Sequence, residues 1–223
     1  MKQVELGYAR VANEIRRMIL SNEFEPGEWI RVKPLTERLG VSAQPIREAL
    51  QHLQGEGLLE LVPNRGAQVR GITLERLNQI YEIRAALESY MARRFAERAG
   101  FIDLQTLKRA QAEHDRAIEA RDLSATLKAN SRFHEIINSH GNNREIQDHI
   151  NRNLALTRAV RTRVGYDENY CRRVSSEHHR LIEAFEAHDA NAAAEYGLKH
   201  VLRSLDEVAQ IYFGVPAQSH AGA

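Results

Sequence analysis

Cysteine is nearly absent from this 223-residue chain: Cys171 stands alone, so no disulfide can form within it. A reducing compartment is the natural home for such a chain. Long apolar runs are missing too, and none approaches the roughly 18 residues that a membrane span needs. The opening stretch, MKQVELGYARVANEIRR, lacks the apolar core and small-residue cleavage site of a secretory signal. We therefore expect a cytoplasmic protein with no membrane partner. A surplus of one charge is also absent, with 31 basic residues against 30 acidic. Residues 1–70 hold 10 basic and 9 acidic side chains. Global electrostatics thus advertises no nucleic acid, and a DNA-binding reading must rest on local placement.

What is present suits an ordinary globular protein, with 43% apolar and 27% charged residues. The length allows one large domain or two small ones, enough for a core without metal or disulfide staples. Proline divides the chain. Pro26, Pro34, Pro45 and Pro63 fall early, and none follows until Pro216. Proline interrupts helices and sheets, so a punctuated first third precedes a long helix-permissive remainder. The boundary is expected near Gly71-Ile72-Thr73, with Thr73 capping the next helix. Domains are therefore expected at 1–72 and 73–215, and a disordered tail at 216–223.

In the first third, Val11, Ile15, Met18 and Ile19 recur at helical spacing until Pro26-Gly27. A short helix over 35–39 follows Pro34, and Gly40 breaks it. Ser42 can cap a third helix running to about Gly55, with Ile46, Ala49, Leu50 and Leu53 on one apolar face. Two β-prone runs, 58–62 and 67–70, flank Pro63-Asn64-Arg65-Gly66 as a hairpin. Three helices and a hairpin describe a winged helix-turn-helix. Such a fold places the first turns of its last helix in the major groove, here Ser42, Ala43, Gln44 and Arg47. Gln can pair with adenine and Arg with guanine. Lys33 and Arg38 lie beside the preceding helix, and Arg65 at the hairpin tip could enter the minor groove. The alternative is a small helical domain carrying solvated surface charges.

These residues resemble the DNA-binding domain of GntR-type regulators over roughly residues 8–70. The likeness is carried by Pro26-Gly27 and then by LTERLGVSAQPIREALQHLQGEGLLELVPNRGAQV. It implies DNA contacts at Lys33, Ser42, Gln44, Arg47, Arg65 and Gly66. Leu39, Ala49, Leu50 and Leu53 read as core. One departure stands out. Where the family usually has a DNA-contacting Arg, this chain has Ala43.

The remainder reads as an all-α bundle of six or seven helices, at 73–99, 103–121, 123–140, 143–164, 168–188 and 190–213. Gly100, Gly141-Asn142 and Asp189 supply breaks. Leu123, Leu127, Asn130, His134 and Ile137 share one helix stripe, and Val174, His178, Leu181, Ile182 and Phe185 another. His200 sits beside the stripe of Leu198, Val201, Leu202 and Leu205. Arg84 interrupts Leu77, Ile80, Leu87 and Met91. Buried polar groups need partners, and three imidazoles with an amide could share one divalent metal. Unrelated core histidines are the alternative.

This region is similar to the C-terminal ligand-binding (FCD-type) domain of the FadR-like branch of the same regulators, over roughly 73–210. The signatures are Tyr81, Arg84 and Glu88, Phe133-His134, Gly141-Asn142, Glu177-His178 and Lys199-His200. The resemblance implies a metal set of Asn130, His134, His178 and His200. Asn130 replaces the usual Asp with a neutral, weaker ligand, which leaves Zn2+ or Ni2+ on three histidines. Arg84 is expected to hold an effector carboxylate, with an internal salt bridge to Glu88 as the alternative. His179, about 100° round the helix from His178, is expected at the surface.

A transcriptional regulator, repressor by the family's commoner habit, binding operator DNA as a homodimer and answering a small organic acid, is the resulting expectation. An enzyme is not expected. The rival is a metal-dependent hydrolase, because His134-Glu135-Ile136-Ile137-Asn138 nearly reads H-E-x-x-H. Asn138 stands where the second ligand would be, and Glu135 falls off the inward stripe.

Overall fold

A computed structural model of the chain describes residues 2–21, 23–63, 65–140 and 143–215. The expected turn residue Asn64, the Gly141-Asn142 break and the 216–223 tail lie outside the described residues. The chain divides into two compact units, residues 1–76 with 152–163, and residues 77–151 with 164–223.

The first unit begins with α1 (Lys2–Leu20). Its apolar face buries Val11, Ala12, Ile15, Met18 and Ile19. The second helix, α2 (Val32–Leu39), starts three residues before the expected 35–39. Pro34 is its third residue, a position whose N–H has no intrahelical partner anyway, so proline does not delay the start. Gly40 then adopts φ +64° and donates its N–H to the Thr36 carbonyl at 3.0 Å. That left-handed turn suits glycine and sets up α3 (Ala43–Gly55). Ile46, Ala49, Leu50 and Leu53 are all buried on its inner face. Arg16 of α1 grips Glu56, just past α3, through two hydrogen bonds of 2.8 and 2.6 Å.

The hairpin has a third strand that the alternation pattern did not reveal. β1 (Trp29–Ile30) pairs antiparallel with β3 (Gly66–Val69), which also pairs with β2 (Leu59–Val62), giving the order β1-β3-β2. Two residues are too few to show a period of two. Gly66 has φ +106°, and a Cβ there would meet the Ile30 carbonyl oxygen at 3.1 Å. Glycine is needed at the wing tip for both reasons.

The remaining elements among the described residues are all helices: α4 (Leu74–Arg98), α5 (Phe101–Glu119), α6 (Leu123–His140), α7 (Arg144–Val164), α8 (Glu168–Glu186) and α9 (Ala190–Phe213); the first residues of α4 and residues 152–163 of α7 belong to the first unit, the rest to the second. The helices thus number six. Thr73 caps α4 as expected, its Oγ1 accepting the Arg76 N–H at 3.2 Å. Asp167 and Asp189 cap α8 and α9 through their carboxylates. The core gathers Phe95, Leu107, Phe133, Ile137, Leu181, Ile182 and Phe185 from α4, α5, α6 and α8. Fully burying each of these large side chains stabilises the fold by roughly 1.5–3 kcal/mol.

Two expected stripes are rotated. On α6 the buried line is Thr126, Ala129, Phe133 and Ile137, while Leu123 is 45% exposed. Small residues let that face approach its neighbours, which the apolar count at Leu123 and Leu127 obscured. On α9 the buried line is Ala193, Gly197, Val201, Leu205 and Val208, with Leu198 and Leu202 only half-buried. Gly197 decides this. A Cβ there would lie 3.2 Å from Ala92 Cβ and 3.5 Å from Ser89 Cα on α4. Ser89 Oγ reinforces the approach by donating to the Ala194 carbonyl at 2.8 Å. Gly197→Val should therefore lower unfolding free energy by about 1–3 kcal/mol through overpacking. Denaturant titration checks this, and an unchanged midpoint would mean that α4 and α9 have room between them.

Candidate functional site

Burial of the inner face of α3 turns Gln44 and Arg47 outward. Lys33, Ser42, Gln44, Arg47, Arg65 and Gly66 are all exposed. The side chains of Lys33 and Arg47 have no hydrogen-bond or ion-pair partner among the described residues, so two cations on adjacent helices are available to a polyanion. Gln44 is less free, since its amide nitrogen donates to Glu48 Oε1 at 2.7 Å. Arg65 lies over the Trp29 ring, 5.9 Å from its centroid.

Ser42 departs from expectation. It occupies the N-cap with extended backbone, but its hydroxyl makes no capping hydrogen bond. The third helical residue is Pro45, which has no N–H to give, and that is where such a hydroxyl commonly bonds. The hydroxyl and the exposed first-turn N–H groups of α3 remain as donors at a helix N-terminus, an arrangement suited to phosphate.

In the second unit His134 of α6, His178 of α8 and His200 of α9 converge. One ligand-type atom from each lies within 4.8 Å of the others. Their ring centroids form a nearly equilateral triangle, with 5.1 Å between His134 and His178, 5.0 Å between His134 and His200, and 5.3 Å between His178 and His200. Three imidazoles bonded tetrahedrally to one ion at roughly 2.0–2.1 Å would place their ring centres roughly 5 Å apart. Asn130, one turn before His134, has a buried Oδ1 with no hydrogen-bond partner. His178 Nε2 is likewise buried and without one. Three converging imidazoles, one of them with a buried unpartnered Nε2, fit a cation, because a cation needs acceptors and offers no competing lone pair. The residues present fit the divalent metal that the resemblance implies.

A further ring of side chains orients the histidines. His178 is fully buried, stacked on Phe133 at 3.9 Å and 8°, and its Nδ1 lies 2.8 Å from Gln111 Oε1 of α5. Burial, followed by the neighbouring imidazoles of His134 and His200, holds its pKa well below the ordinary histidine value. His200 Nδ1 lies 2.7 Å from Glu177 Oε2. Burial pushes the Glu177 pKa up, but the hydrogen bond with His200 and the charges of Arg203 and Arg173 outweigh it and keep it low. His134 Nδ1 lies 4.0 Å from Glu88 Oε2. His114 of α5 is buried with its Nδ1 unpartnered, 5.4 Å from the His178 ring. Gln111 and His114 escaped the sequence reading because polar positions on a helix give no sign of which face they share with a partner helix. His179 is exposed as expected, pairing with Asp115 at 3.0 Å. Glu135 is exposed too, paired with Arg132 at 2.9 Å, and so faces away from the histidines. Glu135 therefore does not take the place of the base in an H-E-x-x-H arrangement.

Arg84 is buried and makes the internal salt bridge, its Nε donating to Glu88 Oε1 at 2.9 Å. Its guanidinium also lies 4.9 Å from the Tyr81 ring centroid. Burial lowers its pKa, but Glu88 more than compensates, so it stays charged. Glu88 thus ties Arg84 to the His134 edge of the cluster. Two cavities flank these elements. The smaller, about 90 Å³, is lined by His200, Glu177 and Arg203. The larger, about 210 Å³, opens beside Cys171, Tyr166 and Arg121, and none of the three histidines lines it. The chemistry converges at the histidines, not in the larger space.

A winged helix followed by a helical bundle is an architecture of DNA-binding transcriptional regulators. Comparison with known proteins makes this specific. Residues 7–69 match the bacterial regulatory proteins of the gntR family, and residues 79–203 match the FCD domain. The Nta operon transcriptional regulator of Aminobacter aminovorans is 30% identical over 203 residues, covering 88% of this chain and 92% of that one. The gluconate operon transcriptional repressor of Bacillus subtilis is 34% identical over 98 residues, covering 44% and 38%. Among solved structures, E. coli McbR/YncC has the same fold, with a TM-score of 0.69 at 22% identity over 92% of this chain and 98% of that one. The chain belongs to the GntR family and carries an FCD domain; it is a transcriptional regulator.

The Arg84–Glu88 pair yields a test of stability. Arg84→Met leaves a buried carboxylate without its partner and should cost about 3–5 kcal/mol. Adding Glu88→Leu should recover most of that loss. Thermal unfolding of the single and double variants decides, and a double variant no better than the single one would disprove the pairing as the cause.

Proposed function

We propose that this regulator is a cytoplasmic, homodimeric repressor whose operator affinity is set by a small organic acid bound at a metal-containing centre of the FCD domain. Residues 1–72 would bind DNA, and 73–215 would bind effector and dimerise. The observation that carries the reading is the convergence of His134, His178 and His200, with His178 Nε2 buried and unpartnered. The direction of control is supported by the gluconate operon relative, similar over 98 residues, which is a repressor.

His134, His178 and His200 would hold the ion, with Asn130 as a neutral fourth oxygen and Zn2+ or Ni2+ the suited metals. When bound, the metal supplies a Lewis-acidic position that accepts an effector carboxylate. Arg84, fixed by Glu88, contributes a permanent positive charge to the same carboxylate. Response requires that the effector bind the DNA-competent and DNA-incompetent states unequally. On DNA, Arg47 and Gln44 would reach base edges, Lys33 and Ser42 phosphates, and Arg65 with Gly66 the neighbouring minor groove. Two copies are required, because one winged helix buries too little surface for tight specific binding and paired half-sites restore it.

Arg47→Ala should weaken binding to the operator by roughly 5- to 150-fold, the equivalent of about 1–3 kcal/mol for one base contact. Gel shift on the DNA upstream of the regulator's own gene measures this, and unchanged affinity in a folded variant would remove Arg47 from the interface. Elemental analysis of protein purified without chelator or affinity tag should find one divalent metal per chain, lost in His178→Ala. No stoichiometric metal, together with no melting shift on adding Zn2+ or Ni2+, would reduce the histidines to polar lining.

A further inference from the structure

We propose that Gln111 is a positioning residue of the histidine centre: it selects the tautomer of His178 that presents a lone pair at Nε2. The inference rests on the metal reading above and deepens it. Gln111 lies on α5 and is 1% exposed. Its amide nitrogen is 2.7 Å from Asp115 Oδ1 and 3.2 Å from Ser175 Oγ. Ser175 Oγ in turn donates to the same Asp115 oxygen at 2.5 Å. An ionised carboxylate only accepts hydrogen bonds, so the NH2 end of the carboxamide must face Asp115. The carbonyl end therefore faces His178 and can only accept. The proton of the neutral imidazole is held on Nδ1, 2.8 Å away, and Nε2 is left with its lone pair inside the cluster.

The plane of the ring is fixed separately, by the parallel stack on Phe133. Tautomer and orientation are thus both decided before any ligand arrives, and the energetic penalty is visible as the unpartnered Nε2. Glu177 plays the corresponding part for His200, with a carboxylate in place of an amide. An amide is the group that suits the His178 position. It accepts from the imidazole at one end and donates to Asp115 at the other, whereas a carboxylate there would meet Asp115 as a second negative charge.

The test uses full-length protein, metal-free and titrated with Zn2+ alone. Nitrogen-15 NMR of the histidine side chains in the metal-free wild type should show His178 protonated at Nδ1. Gln111→Met, close in shape but without an acceptor, should lose that preference and weaken Zn2+ by roughly 10- to 100-fold in competition with a chelator. Gln111→Glu retains an acceptor oxygen. It should keep the Nδ1–H tautomer even if its fold is less stable, and that NMR readout carries the test should the Met variant not fold; loss of the tautomer in a folded Glu variant would overturn the proposal. A wild-type His178 protonated at Nε2, or a Met variant with wild-type affinity, would overturn the proposal while leaving the metal reading intact. A wild type that binds no Zn2+ would instead overturn the metal reading, and the positioning role with it.

Discussion

A fully buried imidazole with one nitrogen satisfied and the other not is the constraint from which much of the bundle follows. His178 is stacked flat against Phe133 and bonded to Gln111, so it can neither tilt nor tautomerise freely. Burying a polar atom without a partner costs about 1–3 kcal/mol. A structure bears that penalty readily when a ligand can remove it. His134 and His200 converge on His178 with one ligand-type atom each, and Asn130 Oδ1, one turn from His134 on α6, is a further buried acceptor without a partner. Desolvation and the crowding of like groups both favour neutral imidazole at His178, the form that coordinates. The apolar core around the site, including Phe95, Phe133, Leu181 and Phe185, acts as its rigid mount.

The charged groups next to this centre are arranged as pairs, not as free charges. Arg84 is held by Glu88, and Arg203 and Arg173 by Glu177. Each acid also addresses a histidine, Glu88 beside His134 and Glu177 on His200. A change in charge at the centre therefore reaches three arginine-bearing ion pairs through two carboxylates, Glu88 and Glu177. Close packing of α4 on α9 at Gly197 keeps Glu88 near the cluster with little slack. Loosening that contact would separate the carboxylate from the ring it faces.

In the first unit the relation between packing and exposed chemistry is simpler. Leu53, Ile46 and their neighbours bury one face of α3, and the opposite face is left with Gln44 and Arg47. Pro45 silences the usual capping partner of Ser42, so the helix start keeps donors that an ordinary cap would use internally. Gly66 serves two purposes at the wing, since its positive φ turns the chain and its missing Cβ admits the Ile30 carbonyl. Ala43, exposed in the first turn of α3, carries no charge, so exposed cations there come from Lys33 on α2 and Arg47 on α3.

Much of this was legible in the order of residues alone. Proline spacing suggested two regions, period-3.6 apolar positions marked nearly every helix, and histidines interrupting apolar stripes singled out His134 and His178, with His200 beside its stripe. Those signals are local, because each depends only on which residues share a helix face. What the sequence could not determine was which faces meet. Leu123 looked like core and is exposed, while Thr126 and Ala129 are buried, because small side chains permit the closer helix contact. Gln111, Ser175 and Asp115 carry no periodic signature, yet across α5 and α8 they form the chain of hydrogen bonds that orients His178. β1 is two residues long and exists only because β3 lies beside it. Hydrophobic periodicity is written along one helix at a time, but hydrogen-bond partnership, tautomer and strand pairing are properties of two segments, and only the tertiary structure brings two segments together.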